Sequence, residues 1–212
     1  MNPGTRIAYL HGFNSSPASI KGQLLARAIA ALPESDRPEY FLPQLSARPS
    51  EAIATLAAWA ERAGFAPHAS LTFVGSSLGG FYATYLAERY GARAVLINPA
   101  IVPDVDLAPF VGDQRNPYTG EQYEFSLSYL PELTALRIGR ISRPERYLLL
   151  VQTGDEVLDY RAAIRFYAGA WQFVQGGGDH AFRDFAAQIP AVLHFAARGA
   201  CSKRFPCHGN AR

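Results

Sequence analysis

Cysteine, lysine and methionine are all scarce in this sequence. Cys201 and Cys207 are its only cysteines. Both fall in the last dozen residues, so neither a disulfide framework nor a cysteine-based metal quartet can organise the fold, and a reducing compartment is expected. With His208 they could suggest a metal clip, but three ligands in a tail fall short of a structural site. Free thiols are expected. No apolar stretch reaches the 18 residues that a membrane span needs. Charge is also thin: a net +2 with 18% charged residues provides no basic stripe for nucleic acid or a membrane surface. Of the 20 basic residues only Lys21 and Lys203 are lysines, a bias that reads as composition rather than function. The N-terminus passes directly into Arg6-Ile-Ala-Tyr-Leu-His-Gly, with no basic segment followed by an apolar run and a cleavage site, so a cytoplasmic protein is expected.

What is present is a chain of 212 residues with 49% hydrophobic content, enough for one core and little more. A single domain over residues 1–198 is expected, followed by a flexible tail at 199–212. Short apolar runs recur at Ile7 to Leu10, Glu39 to Leu42, Leu71 to Val74, Ala94 to Ile97, Tyr147 to Gln152 and Trp171 to Val174. Runs that are apolar at both parities, such as Tyr147-Leu-Leu-Leu-Val, suit strands covered on both faces of a parallel sheet. Helical patterns over about 17–32, 50–63, 80–90, 159–168 and 182–197 lie between or after them. The alternation predicts an α/β fold: a doubly wound, mostly parallel sheet of about six strands with helices on both faces. From about 101 to 146, prolines and scattered aromatics break both periodicities, and this stretch reads as a lid-like insertion over the strand edge where sites form.

Gly75-x-Ser77-x-Gly79 lies between an apolar strand and a helix pattern. A serine lifted into solvent at a sharp strand-to-helix turn needs small residues two positions either side, because larger ones would collide across the turn. Three fixed residues of ordinary abundance arise by chance in roughly one chain in ten of this length. Position, not the pattern, therefore carries the weight. The bland alternative is a glycine-rich turn holding a phosphate at a helix N-terminus.

Serine needs a base, and His180 in Gly176-Gly-Gly-Asp-His-Ala-Phe is the best placed, after the last strand in a loop free to reach back. His194 falls within a helix pattern, His208 in the tail, His68 in a turn, and His11 precedes the nucleophile, the wrong order for such a fold. The third member should follow the strand before His180, where Asp155, Glu156 and Asp159 share one loop. Asp155 is the choice, since Asp159 is also a natural N-cap for the next helix. For the developing oxyanion, Leu78 provides one backbone N–H and Phe13, after the first strand, the other. Ser16 and Pro17 read as the cap and first residue of the helix that follows.

Taken together, Leu10-His-Gly-Phe-Asn-Ser-Ser-Pro, Gly75-Ser-Ser-Leu-Gly-Gly-Phe-Tyr-Ala-Thr, Leu96-Ile-Asn-Pro-Ala, Asn116-Pro-Tyr-Thr-Gly-Glu-Gln-Tyr, Gln152-Thr-Gly-Asp-Glu-Val-Leu-Asp-Tyr and Gly177-Gly-Asp-His-Ala-Phe resemble the YqiA-type family of small bacterial esterases in the α/β-hydrolase superfamily. The resemblance implies a cytoplasmic esterase acting on acyl esters or thioesters with no metal or organic cofactor, and it carries Ser77, Asp155 and His180 over as the triad. A peptidase or amidase on the same triad, or a non-catalytic ligand-binding homologue, are the alternatives. Arg137, Arg140, Arg143 and Arg146 recur every third residue and read as a solvated surface rather than a basic rim for an anionic substrate. Tyr118, Tyr123, Phe125 and Tyr129 could line an acyl pocket or seal the insertion onto the sheet.

Overall fold

A computed structural model describes residues 4–62 and 71–198. The expectations for His68, the two cysteines, His208 and the tail lie outside these residues. Six strands form one sheet: β1 (Arg6–Leu10), β2 (Glu39–Phe41), β3 (Leu71–Ser76), β4 (Arg93–Ile97), β7 (Tyr147–Gln152) and β8 (Trp171–Gln175). Their order is β2-β1-β3-β4-β7-β8 and every pairing is parallel. A second, antiparallel pair, β5 (Gly112–Arg115) and β6 (Gln122–Phe125), stands apart as a hairpin.

Strand parity sorts the core into two layers. Ile7, Tyr9, Val74, Val95, Ile97 and Leu150 face one side, packed with Leu25 and Ile29 of α1 (Ile20–Ala30) and Val192 and Phe195 of α7 (Ile189–Arg198). Ala8, Leu10, Phe73, Leu96 and Leu149 face the other, against α2 (Pro49–Arg62) and α3 (Leu78–Tyr90). This two-sided burial is what apolar residues at both parities require. The outer strands β2 and β8 are far more exposed than β1 or β4, as edges are.

Local chemistry sets the helix ends. Gly91, in the left-handed conformation at φ 64°, closes α3, a conformation glycine adopts without a Cβ penalty. Asp159 caps α6 (Tyr160–Phe166) by accepting from the Arg161 N–H at 3.0 Å. Two expected starts are displaced. Ser16 and Pro17 form a turn, closed by the Ser19 N–H on the Ser16 carbonyl and the Ala18 N–H on Ser16 Oγ, and α1 begins only at Ile20. The last helix does not begin at 182, because Phe182 and Asp184 adopt φ 62° and 58°; a 3-10 turn over Phe185–Gln188 then leads into α7.

The insertion carries two short helices, α4 (Pro103–Asp106) and α5 (Tyr129–Ala135), around the hairpin. Asn116 organises the hairpin turn. Its Oδ1 accepts from the N–H groups of Tyr118 and Thr119, and its Nδ2 donates to the Ser15 carbonyl at 2.8 Å. Asn14 adds two further bonds, donating to Gln114 and accepting from the Tyr123 hydroxyl. The insertion is thereby latched to the loop after β1.

Candidate active site

The five non-glycine residues with positive φ among the described residues are Asn14, Ser77, Asn98, Phe182 and Asp184. All lie in loops after β1, β3, β4 or β8, at one edge of the sheet. Backbone strain of this kind persists only where surrounding structure over-determines it, and it gathers at functional sites.

Ser77 sits between β3 and α3 at φ 55°, ψ −123°. Its N–H donates to the Ile97 carbonyl, and its own carbonyl accepts from Gly80 and Ala100. The flanking glycines are required by contact. A Cβ on Gly75 would lie 2.1 Å from the Gly79 carbonyl oxygen, and one on Gly79 would lie 2.0 Å from the Leu10 carbonyl oxygen. Strand, turn, helix and β1 therefore cross at backbone contact, and from Gly75 to Gly80 Ser77 is the one residue that is not buried.

Ser77 Oγ lies 3.1 Å from His180 Nε2, and His180 Nδ1 lies 2.9 Å from each oxygen of Asp155. Asp155 is almost wholly buried, at 2% side-chain exposure, and its Oδ1 also accepts from the N–H groups of Val157 and Leu158. Burial pushes this carboxyl's pKa up. The hydrogen bonds from His180 and the Leu158 N–H outweigh that and hold it below its ordinary value, so the group stays ionised. Of the loop's other acids, Glu156 accepts from the His180 backbone N–H at 3.0 Å. Asp159 caps α6 and faces Arg161 and Arg165 at the surface. Only Asp155 meets the imidazole.

Two residues without a role in the sequence reading hold the histidine loop. Asn98 donates to the carbonyls of Asp179 and His180. Gln152, fully buried, accepts from the N–H groups of Asp179 and Arg183 and donates to the Arg183 carbonyl. Both stand inside sequence blocks that point to the site, but a strand-end amide gives no sign of what it will grip.

His11, set aside above as a base, holds the loop that carries the Phe13 N–H expected to be the second oxyanion donor. Its Nδ1–H donates to the Gly12 carbonyl at 3.0 Å and its Nε2 accepts from the Leu45 N–H at 3.1 Å. Carbonyl and N–H of one trans peptide point in opposite directions, so tying the Gly12 carbonyl to His11 also aims the Phe13 N–H. A Cβ built on Gly12 would lie 3.6 Å from Ser77 Oγ, which puts this peptide beside the serine. The N–H groups of Phe13 and Leu78 have no backbone acceptor among the described residues. Leu78 opens a helix of 13 residues, where the positive end of the dipole adds to its N–H. Phe13 is held edge-on by Phe125, with ring centroids 5.1 Å apart.

His11 has both ring nitrogens committed, and burial lowers its pKa against the pull of the Gly12 carbonyl. A histidine that is harder to protonate in the fold than in the unfolded chain contributes stability above the ordinary value of 6.5, and loses it as pH falls toward the folded value. Urea midpoints are therefore expected to fall from pH 7 to pH 5.5, and the fall is expected to shrink in His11→Gln. Equal falls in the two proteins would count against a neutral, doubly bonded His11.

Two cavities flank the loop. One of about 490 Å³ reaches Phe13 and Leu78 and is walled by Tyr82, Tyr123, Tyr129 and Arg48; one of about 320 Å³ lies between α1 and the His180 loop. The aromatic cluster of the insertion is thus divided. Tyr123 and Tyr129 line the first cavity, Tyr118 lines the second, and Phe125 is buried beneath Phe13. The arginine series makes no common rim: Arg137 chelates Asp104, Arg143 pairs with Glu145 and Arg146 bonds Ser142. Among the described residues no group of three or more His, Cys, Asp or Glu could hold a metal ion, and no helix is long and apolar enough to cross a membrane.

The family model described as uncharacterised protein family UPF0227, the YqiA-type family, matches residues 6–197. The chain belongs to this family. The UPF0227 chain is also similar in structure to a putative hydrolase from Agrobacterium vitis, with a TM-score of 0.68 and 19% identity over 90% of this chain and 87% of that one. The esterase domain of a Rhodothermus marinus protein aligns with a TM-score of 0.66 and 16% identity over 94% and 89%. A monoacylglycerol lipase from Paleococcus ferrophilus aligns at 0.66 and 14% over 91% and 95%. At such identities the likeness is one of fold, and the fold of this UPF0227 member is that of the α/β hydrolases.

Proposed function

We propose that this protein is a serine hydrolase that cleaves small-molecule carboxylic esters or thioesters through an acyl-enzyme on Ser77. The observation that carries the reading is the continuous chain from Ser77 Oγ through His180 to a buried Asp155, with its serine in a strained turn. The names of its structural neighbours, among them an esterase domain and a monoacylglycerol lipase, support a hydrolase.

In the proposed reaction His180 Nε2 takes the Ser77 proton as Oγ bonds to the substrate carbonyl carbon. The carbonyl electron pair moves onto oxygen, where the N–H groups of Phe13 and Leu78 receive it. Asp155 keeps the His180 proton on Nδ1 and stabilises the imidazolium without taking a proton itself. As the tetrahedral centre collapses, the bond to the leaving oxygen or sulfur breaks and Nε2–H protonates the departing group. Water then gives a proton to His180 and attacks the acyl carbon. Ser77 leaves with that proton, and the acid is released.

A fluorophosphonate probe tests the nucleophile directly. The expected result is one adduct on the peptide carrying Ser77, absent in Ser77→Ala. An unlabelled native protein would mean a binding module that kept the fold. Matched ester, thioester and anilide substrates of one acyl group then rank the reactions, with ester and thioester expected ahead of amide.

A further inference from the structure

Lys21 is the only lysine among the described residues of a chain whose other cations there are arginines. It stands in the first turn of α1 and crosses to the histidine loop, where its Nζ donates to the Ala181 carbonyl at 2.7 Å. The ammonium has three donors, and this bond uses one. Burial pushes its pKa down to about 8, against the pull of Asp179 and Asp155, so it remains charged at neutral pH.

Lys21 forms part of the wall of the 320 Å³ cavity, with Tyr9, Ser19, Ser76, Tyr118 and Asp179 around it. One of these polar groups has an oxygen without a partner. Asp179 uses Oδ2 on Arg183 at 2.7 Å, and its buried Oδ1 makes no hydrogen bond. The Asp179 side chain keeps 28% exposure, so its carboxylate can accept from a donor that enters the cavity. An anion has no donor to offer it and would meet its charge. A hydroxyl group can donate to Asp179 and accept from Lys21, and neighbouring hydroxyls can do both at once.

The cavity's position supplies the role. Gly12 and Ser15 line both cavities, so the two lie on opposite sides of the loop that carries Phe13. The 490 Å³ cavity reaches the proposed oxyanion donors. The 320 Å³ cavity is walled by Asp179, Ala181 and Phe182, the residues around His180, whose Nε2–H must protonate the departing oxygen. The leaving group belongs on the side of that proton.

We propose that the cavity between α1 and the His180 loop binds the alcohol portion of the substrate, and that this alcohol is polyhydroxylated, a glycerol- or sugar-like group held between Lys21 and Asp179. The proposal rests on the hydrolase reading above and assigns its leaving group.

The test compares glyceryl monobutyrate with ethyl butyrate, which share one acyl group, and with ethyl 3-hydroxybutyrate, which moves the hydroxyl to the acyl side. Wild-type kcat/KM is expected to favour the glyceryl ester by about ten-fold, the size of one hydrogen bond to a charged group. The same preference is expected in calorimetric binding to Ser77→Ala, where no turnover is needed. Lys21→Met is expected to remove it, and so is the isosteric Asp179→Asn, which serves if Lys21→Met fails to fold. No glyceryl preference, a preference that survives both substitutions, or a preference for the 3-hydroxyacyl ester instead would each overturn the assignment. If no ester is turned over while Ser77→Ala still prefers the glyceryl ester, the alcohol site stands and the hydrolase reading falls.

Discussion

Replacing His180 by alanine is expected to lower kcat/KM for a phenyl ester by about four to six orders of magnitude, as triad removals do in serine hydrolases of other folds. The size follows from the single path for the Ser77 proton. Nε2 lies 3.1 Å from Oγ, and His11 has both of its ring nitrogens bonded elsewhere. Asp155→Asn is expected to cost about 10⁴, because an amide can no longer hold the imidazole in the required tautomer. Asp159→Asn is expected to stay within a few-fold of wild type, since asparagine caps a helix as well as aspartate does. Steady-state rates on the four proteins, with circular dichroism as a check on folding, decide the matter. A large loss in Asp159→Asn alone would move the acid to the cap of α6.

The largest effect on stability is expected at Gly79. A Cβ there would lie 2.0 Å from the Leu10 carbonyl oxygen and 2.7 Å from that of His11. Both contacts are with backbone, so no side chain can swing away. Helix α3 would have to lift from β1, opening the core where Leu10, Phe81 and Tyr82 pack. Gly79→Ala is expected to cost about 4 kcal/mol or more, a large share of a domain's stability, and to reduce soluble yield sharply. Gly139→Ala makes the contrast, because a Cβ there meets nothing within 4 Å and the backbone is not left-handed; a change within about 0.5 kcal/mol is expected. Urea midpoints measure both. A loss under about 1 kcal/mol at Gly79 would show that the crossing is not backbone-tight.

The two substitutions probe features of differing legibility. The glycine spacing around Ser77 implies a tight crossing by itself, because only small residues permit that turn. The insertion was opaque. Strands β5 and β6, Gly-Asp-Gln-Arg and Gln-Tyr-Glu-Phe, are short and largely polar, and the Asn14 and Asn116 bonds to the loop after β1 tie their hairpin down. The left-handed turns at Phe182 and Asp184 were hidden too, since an apolar and charged stretch reads as helix unless contacts elsewhere bend it. At the site, one loop offered three carboxylates, of which Asp155 was preferred because Asp159 is also a natural N-cap. Which one turns inward depends on the N–H groups of Val157 and Leu158 and on a histidine 25 positions away.

By itself the sequence determined the parallel sheet, the serine turn and the order of the groups that follow it, because periodicity, glycine spacing and chain order are local or one-dimensional properties. The tertiary structure decided that Asp155 rather than Asp159 meets His180. It also decided that His11, Asn98 and Gln152 hold the loops, and that a second cavity opens at Lys21. These are meetings between residues far apart along the chain, and they depend on which buried polar groups find partners once the core has closed.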